Sequence, residues 1–204
     1  MAKIGFLGGT FNPIHNGHLY LADNAYKQLK LNKVLIVPSG ISYLKQDIDI
    51  LSKDIRSDMT KIAISDYPYF EFSDIEIKRE GNTYTYETLL ELRKEYSNDT
   101  IYFIIGADTL NNMESWKCPD IIFANCHIAV MVRDTTDKNE ISKICMFYEE
   151  KYNANTVILD VEKTDVSSTE IRRLIRNGCY DQVKNMLPEK VLKYIEDNHL
   201  YRGN

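Results

Sequence analysis

Short runs of β-branched and aromatic residues alternate along this chain with longer patterns of helical period, and that alternation restricts the fold more than any other feature. Lys3–Leu7, Lys33–Val37, Phe70–Ile77, Thr100–Ile105, Ile128–Val132 and Thr156–Val161 read as strands. His18–Leu29, Lys53–Ser65, Tyr84–Tyr96 and Glu140–Tyr152 read as the helices between them. The helix over 53–65 places Ile55, Met59, Ile62 and Ala63 on one face. Thr100–Ile105 is nearly all apolar, as a strand buried on both faces must be. Beyond Val166 the pattern is helical: Ser168–Asn177, a short turn at Tyr180–Asn185, then Pro188–Asn198. The expectation is an α/β fold, a doubly wound and mostly parallel sheet with helices on both faces and a helical C-terminus. Ligands of such sheets sit beyond the carboxyl ends of the strands. The segments after Leu7, Val37, Ile105, Val132 and Val161 are therefore the places to look.

The length of 204 residues suits one domain over 1–204, its C-terminal helical part starting near 167. With 44% hydrophobic and 27% charged residues, nine Gly and five Pro, disordered and collagen-like chains are excluded. No apolar run reaches membrane-span length. The N-terminal apolar run stops at Gly8-Gly9, too early for a signal peptide. Cys118, Cys126, Cys145 and Cys179 form no C-x-x-C pair, so reduced thiols and a cytoplasmic location are expected. The net charge of -5 disfavours a general nucleic-acid binder. It leaves room for a small anion held by a local positive cluster.

The segment Gly8-Gly9-Thr10-Phe11-Asn12-Pro13-Ile14-His15-Asn16-Gly17-His18 follows the first strand. Adjacent glycines let the backbone turn sharply and approach a ligand. The helix that follows points its free N–H groups and its dipole toward the sheet edge, an anion site. His15 and His18, three apart, share a helical face and could both aim at one phosphate. The segment fits neither the G-x-G-x-x-G dinucleotide fingerprint nor the P-loop. Gly8-Gly9 is also compatible with a plain strand-to-helix turn. A zinc pair is the rival chemistry for the two imidazoles, but no third ligand is evident.

A second anchor follows the last strand: Thr164-Asp165-Val166-Ser167-Ser168-Thr169-Glu170-Ile171-Arg172-Arg173. Ser167 with Glu170 reads as a capping box. That does not explain Arg172 and Arg173, since cations at a helix N-terminus oppose its dipole. A bound anion would offset the cost. The hydroxyls of Ser167, Ser168 and Thr169, the free N–H groups and one arginine would form a polyphosphate cradle. Spacing does not decide which arginine faces inward.

The first loop resembles the Gly-Gly-Thr/Ser-Phe-Asp-Pro-x-His-x-Gly-His motif of the nucleotidylyltransferase superfamily, with Asn12 in place of Asp. Both side chains accept hydrogen bonds in a turn. Val166–Arg172 is similar to the superfamily's Ile/Val-Ser-Ser-Thr-x-Ile-Arg motif. In between, Gly81-Asn82-Thr83-Tyr84-Thr85-Tyr86-Glu87-Thr88-Leu89, Ile104-Ile105-Gly106-Ala107-Asp108-Thr109-Leu110 with Trp116, and Val132-Arg133 resemble segments of the bacterial nicotinate-nucleotide adenylyltransferases. Val37-Pro38-Ser39-Gly40 to Lys45 falls where that family carries a Pro-…-His-Lys loop, with Leu44 in the histidine's place and Tyr43 as a partial substitute.

The resemblance implies a Rossmann-like fold and an enzyme of NAD biosynthesis that joins ATP and nicotinate mononucleotide into deamido-NAD and pyrophosphate. His15 and His18 would be catalytic. Gly8, Gly9, Thr10, Phe11, His18, Gly106, Asp108, Arg133, Ser167, Ser168, Thr169 and Arg172 would bind ATP. Lys45, Tyr84, Thr85 and Trp116 would bind the mononucleotide, with Trp116 stacked on the pyridine. Preference for the acid over the amide would come from backbone N–H groups near Thr85 and after Trp116. Mg²⁺ would be carried mainly by the ATP phosphates, without protein side chains as ligands. No nucleic acid or membrane is expected as a partner, and a homo-oligomer is left open. The alternatives are an adenylyltransferase for nicotinamide mononucleotide or phosphopantetheine, and a non-catalytic nucleotide sensor. An NAD-dependent redox enzyme is disfavoured by the missing dinucleotide fingerprint. Residues 134–155 carry no functional signal.

Overall fold

In the computed structural model, residues 1–42, 50–133, 138–162 and 164–202 are described. The chain runs β1 (Lys3–Gly9), α1 (Asn16–Leu29), β2 (Lys33–Pro38), β3 (Ile41–Ser42), α2 (Lys53–Ile64), β4 (Phe70–Phe72), β5 (Asn82–Thr83) and α3 (Thr85–Glu95). It continues through β6 (Thr100–Gly106), α4 (Ala107–Leu110), a 3-10 turn at Met113–Ser115, α5 (Pro119–Asn125), β7 (His127–Arg133), α6 (Lys138–Tyr152) and β8 (Asn155–Val161). The helices α7 (Ser168–Arg176), α8 (Tyr180–Val183) and α9 (Glu189–Asp197) complete it.

Local chemistry explains several boundaries. Ser52 caps α2 by accepting from the Ile55 N–H at 3.4 Å, and Ser167 caps α7 through the Glu170 N–H at 3.2 Å. Lys30 closes α1 in the left-handed region, φ 52°. Pro119 opens α5, where its missing N–H costs nothing. That short helix was absent from the sequence expectation.

Six strands pair in parallel in the order β4-β2-β1-β6-β7-β8. The chain thus winds outward in one direction from β1, returns, and winds outward in the other from β6. This is the doubly wound sheet expected from the sequence. Side chains alternate between two cores. Val34 and Ile36 join one with residues of α1, α2, α7 and α9. Leu35 and Val37 join the other with residues of α3, α5 and α6. Both faces are covered, so the strands read as unbroken apolar runs.

One strand differs from expectation. The pattern over 70–77 suggested a single strand, but β4 ends at Phe72. The chain then folds into a turn, with the Lys78 N–H donating to the Asp74 carbonyl at 2.9 Å and the Arg79 N–H to that of Glu76 at 3.3 Å. The turn buries Glu76, which is only 7% exposed. A small parallel pair, β3 with β5, lies beside it.

Topology fixes where a ligand can sit. The winding reverses between β1 and β6, and a crevice opens beyond their carboxyl ends. Those ends are Gly8-Gly9 and Gly106. Among the described residues, no helix is long and apolar enough to cross a membrane.

Candidate active site

At the crevice lies a cleft of about 630 Å³. Its floor is Leu7 to Asn12, from the end of β1 into the loop that follows. One wall is His15, Gly17 and His18 at the start of α1, and another is Ser167, Ser168, Thr169 and Arg172 at the start of α7. Gly106, Thr109 and Trp116 line the side below β6, while Ser39, Glu76, Thr83 and Thr85 close the remaining end.

The nucleotide loop is held tightly. Phe11 takes a left-handed φ of 49°, uncommon for a bulky residue, and its ring is 1% exposed. It packs edge-on to His18, centroids 5.0 Å apart. A Cβ on Gly9 would come within 2.6 Å of that ring, so the loop can pass there only as glycine. Asn12 uses its Oδ1 as an acceptor from the Leu51 N–H at 3.2 Å and the Tyr201 hydroxyl at 2.8 Å. An Asp would also accept there, in keeping with the expectation that either residue serves.

The two imidazoles stack, centroids 3.6 Å apart and 23° from parallel. The backbone N–H of His15 donates to Nδ1 of His18 at 3.3 Å. In its neutral form His18 therefore carries its proton on Nε2. His15 is buried, and desolvation lowers its pKa to about 4, only partly opposed by a backbone hydrogen bond. It is neutral at pH 7. Its Nδ1 is buried without a hydrogen-bond partner. A cleft lined by a neutral imidazole, a guanidinium and helix N-termini suits a polyanion.

The two ends of the chain meet in this cleft. Arg172 donates from Nη1 to the Asn12 carbonyl at 2.8 Å, and Ser168 Oγ donates to the Pro13 carbonyl at 2.9 Å. Arg173 turns outward and pairs with Glu170 at 2.6 Å. The inward arginine is Arg172. The capping box is half formed, since Ser167 caps the Glu170 N–H while the Glu170 carboxylate is committed to Arg173.

Of the residues expected at the site, Gly8, Gly9, Thr10, Phe11, His15, His18, Gly106, Ser167, Ser168, Thr169, Arg172, Thr85 and Trp116 line one cleft. Asp108 is exposed in α4, and its neighbour Thr109 lines the cleft instead. Tyr84 sits just before α3, outside the lining, with the Lys117 ammonium 4.1 Å above its ring. Arg133 ends β7, and its side chain lies outside the described residues, as does all of Lys45.

Sequence reasoning missed Ser39, Thr109, Glu76 and Thr83 in the lining. Ser39 lies in the segment after Val37 that the topological rule singles out, but that rule assigns it no role there. It also missed Arg56, 2% exposed in α2, which donates to the carbonyls of Leu51 at 3.1 Å, Thr10 at 2.7 Å and Gly40 at 3.1 Å. Burial lowers its pKa, an effect the nearby Tyr201 and Glu76 oppose. No group of three or more His, Cys, Asp or Glu able to hold a metal ion occurs among the described residues.

A sheet of this order, with a His-rich helix start and a Ser-Ser-Thr helix start facing each other over its switch point, makes a site suited to the phosphates of a nucleotide. The chain belongs to the cytidylyltransferase-like family, whose profile matches residues 6–174. Among curated proteins it is 40% identical over 201 residues to the "Probable nicotinate-nucleotide adenylyltransferase" of Lachnoclostridium phytofermentans, covering 98% of this chain and 100% of that one. The protein of the same name from Clostridium tetani is 41% identical, covering 99% and 100%. Among solved structures, the nicotinic acid mononucleotide adenylyltransferase of Plasmodium falciparum complexed with NaAD superposes with a TM-score of 0.82 at 19% identity, over 98% of each chain. At that identity the likeness speaks for the fold alone.

Proposed function

We propose that this chain transfers the adenylyl group of ATP to nicotinate mononucleotide, giving deamido-NAD and pyrophosphate. The observation that carries the reading is the convergence of His15, His18, Ser168 and Arg172 with Thr85 and Trp116 on one cleft. The full-length likeness to relatives bearing that enzyme's name supports it.

The mononucleotide phosphate is itself an anionic nucleophile. It attacks the α-phosphorus in line, the new P–O bond forms, and the bond to the β-phosphate breaks with pyrophosphate leaving. No base and no covalent enzyme intermediate are required. Catalysis is positioning plus stabilisation of charge as it moves between oxygens. His18, which lines the cleft with its Nδ1 held by the His15 N–H, stabilises the α-phosphate and leaving oxygen; neutral His15 braces it and assists. The N–H groups of Gly9, Thr10 and Phe11 and the start of α7 hold the phosphates, with Arg172 as the fixed cation. Thr85 and Trp116 take the pyridine end, Trp116 by stacking. Glu76, the carboxylate in the lining, is already engaged by protein donors. Mg²⁺ is on this reading brought with the ATP phosphates, and no step is assigned to it.

The test is direct. The protein is incubated with ATP, Mg²⁺ and, separately, nicotinate mononucleotide, nicotinamide mononucleotide or phosphopantetheine, and the product is identified by mass. Deamido-NAD as the dominant product is expected. Another adduct moves the protein to a different acceptor, and no adduct with ATP bound makes it a sensor.

A further inference from the structure

Glu76 is a carboxylate in the wall of an anion-binding cleft, where bare negative charge would be a handicap, and nothing in the reaction above uses it. Its surroundings give it another task. The Thr88 hydroxyl donates to its Oε1 at 2.9 Å. The Thr83 hydroxyl, which donates to the Ile41 carbonyl at 3.4 Å, and the Gly40 backbone N–H lie close enough to favour its charged form. These three residues come from three separate segments: the turn after β2, strand β5 and the first turns of α3. The packing is close enough that a Cβ on Gly40 would lie 2.5 Å from the Glu76 carbonyl and 2.7 Å from the Thr83 methyl. Thr83 lines the cleft beside Thr85, two residues on. The same Gly40 peptide offers its carbonyl to Arg56 at 3.1 Å, and Arg56 reaches the Thr10 carbonyl of the nucleotide loop at 2.7 Å.

We infer that Glu76 is a positioning residue: by bonding Thr88 and filling the space beside Gly40 and Thr83 it fixes the acceptor end of the cleft, and through Gly40 and Arg56 it sets that end in register with the nucleotide loop. This rests on the proposed adenylyl transfer, with the mononucleotide bound beside Thr85. Deleting the side chain takes away the acceptor of the buried Thr88 hydroxyl and leaves space between the three segments that enclose it. The anchor on the ATP side has its own supports in Arg172 and Ser168 and is affected less.

The test is steady-state kinetics of Glu76→Ala, Glu76→Gln and Thr88→Val with both substrates varied, beside thermal unfolding. Glu76→Ala should raise KM for the mononucleotide at least tenfold and KM for ATP less than threefold. Glu76→Gln, which keeps an acceptor oxygen and the shape, should bring the mononucleotide KM back to within threefold of the parent. Thr88→Val, nearly isosteric and outside the cleft lining, should raise the mononucleotide KM about three- to tenfold and serves if Glu76→Ala does not fold. Equal changes in both KM values, no change in either, or a Gln variant as impaired as Ala would overturn the assignment. If the unmutated protein forms no deamido-NAD, it is the proposed reaction that fails; unchanged KM values in variants of an active parent sink the role of Glu76 alone.

Discussion

His15 and His18 stack face to face, 3.6 Å apart, with the backbone N–H of the first donating to Nδ1 of the second. One imidazole is thereby oriented by the other's main chain, and the pair acts as a unit. Both rings line the cleft, and the inner one is buried and neutral.

Removing the outer ring should be costly. His18→Ala is expected to lower kcat about 10²- to 10³-fold, the scale of one lost transition-state donor. Steady-state rates of pyrophosphate release measure it. An unchanged rate would take His18 out of the chemistry.

The buried ring gives the protein a pH signature. An unfolded His15 titrates near 6.5 and the folded one at about 4, so between those values the unfolded chain binds more protons. Stability from this group therefore falls as pH drops from 6.5 toward 4, by roughly 3 kcal/mol in total and about 2 kcal/mol by pH 5. Urea unfolding at pH 7 and pH 5 should show that loss in the parent and a clearly smaller one in His15→Gln. Equal losses would show that His15 is not the group responsible.

The two arginines of α7 should separate sharply. Arg172 bonds the Asn12 carbonyl within the cleft, whereas Arg173 is 61% exposed in its pair with Glu170. Loss of a charge-assisted contact to phosphate costs about 1.5–3 kcal/mol, so Arg172→Ala should lose at least tenfold in kcat/KM for ATP. Arg173→Ala should stay within twofold, as exposed ion pairs contribute little. Parallel kinetics on the two variants check this, and similar losses in both would contradict it.

Ser168 ties α7 to the nucleotide loop through the Pro13 carbonyl, 155 residues away in sequence. Ser168→Ala should raise KM for ATP several-fold while kcat changes less. A drop in kcat alone would place the hydroxyl on the reacting group instead.

The contrast between legible and hidden parts has a physical basis. Gly8 to His18 and Val166 to Arg172 are local: each couples a turn to a helix start, and its chemistry is carried by neighbouring residues. The sheet was legible because Val34 to Val37 and Ile101 to Ile105 must be apolar on both faces. Glu76 and Arg56 were hidden because a charged residue reads as surface until distant segments are seen to enclose it. Glu76 is sheltered by Gly40, Thr83 and Thr88, and Arg56 by carbonyls from three loops. The strand over 70–77 was overread because Phe70/Phe72 and Ile75/Ile77 each alternate as a strand does, yet the two pairs are out of phase across Ser73-Asp74, where the strand ends. Asp108 and Thr109 show the limit of motif reasoning in a short helix, where one residue of offset moves a side chain from the cleft to solvent.

The most direct test of the account is a crystal structure of the protein with a non-hydrolysable ATP analogue. The triphosphate is predicted to lie between His18 and the Arg172 guanidinium, over Gly9 to Phe11, with its α-phosphate facing His18 and the open end of the cleft toward Trp116. An analogue bound elsewhere, or one whose phosphates touch neither His18 nor Arg172, would contradict the claim that the two ends of the chain build one nucleotide site.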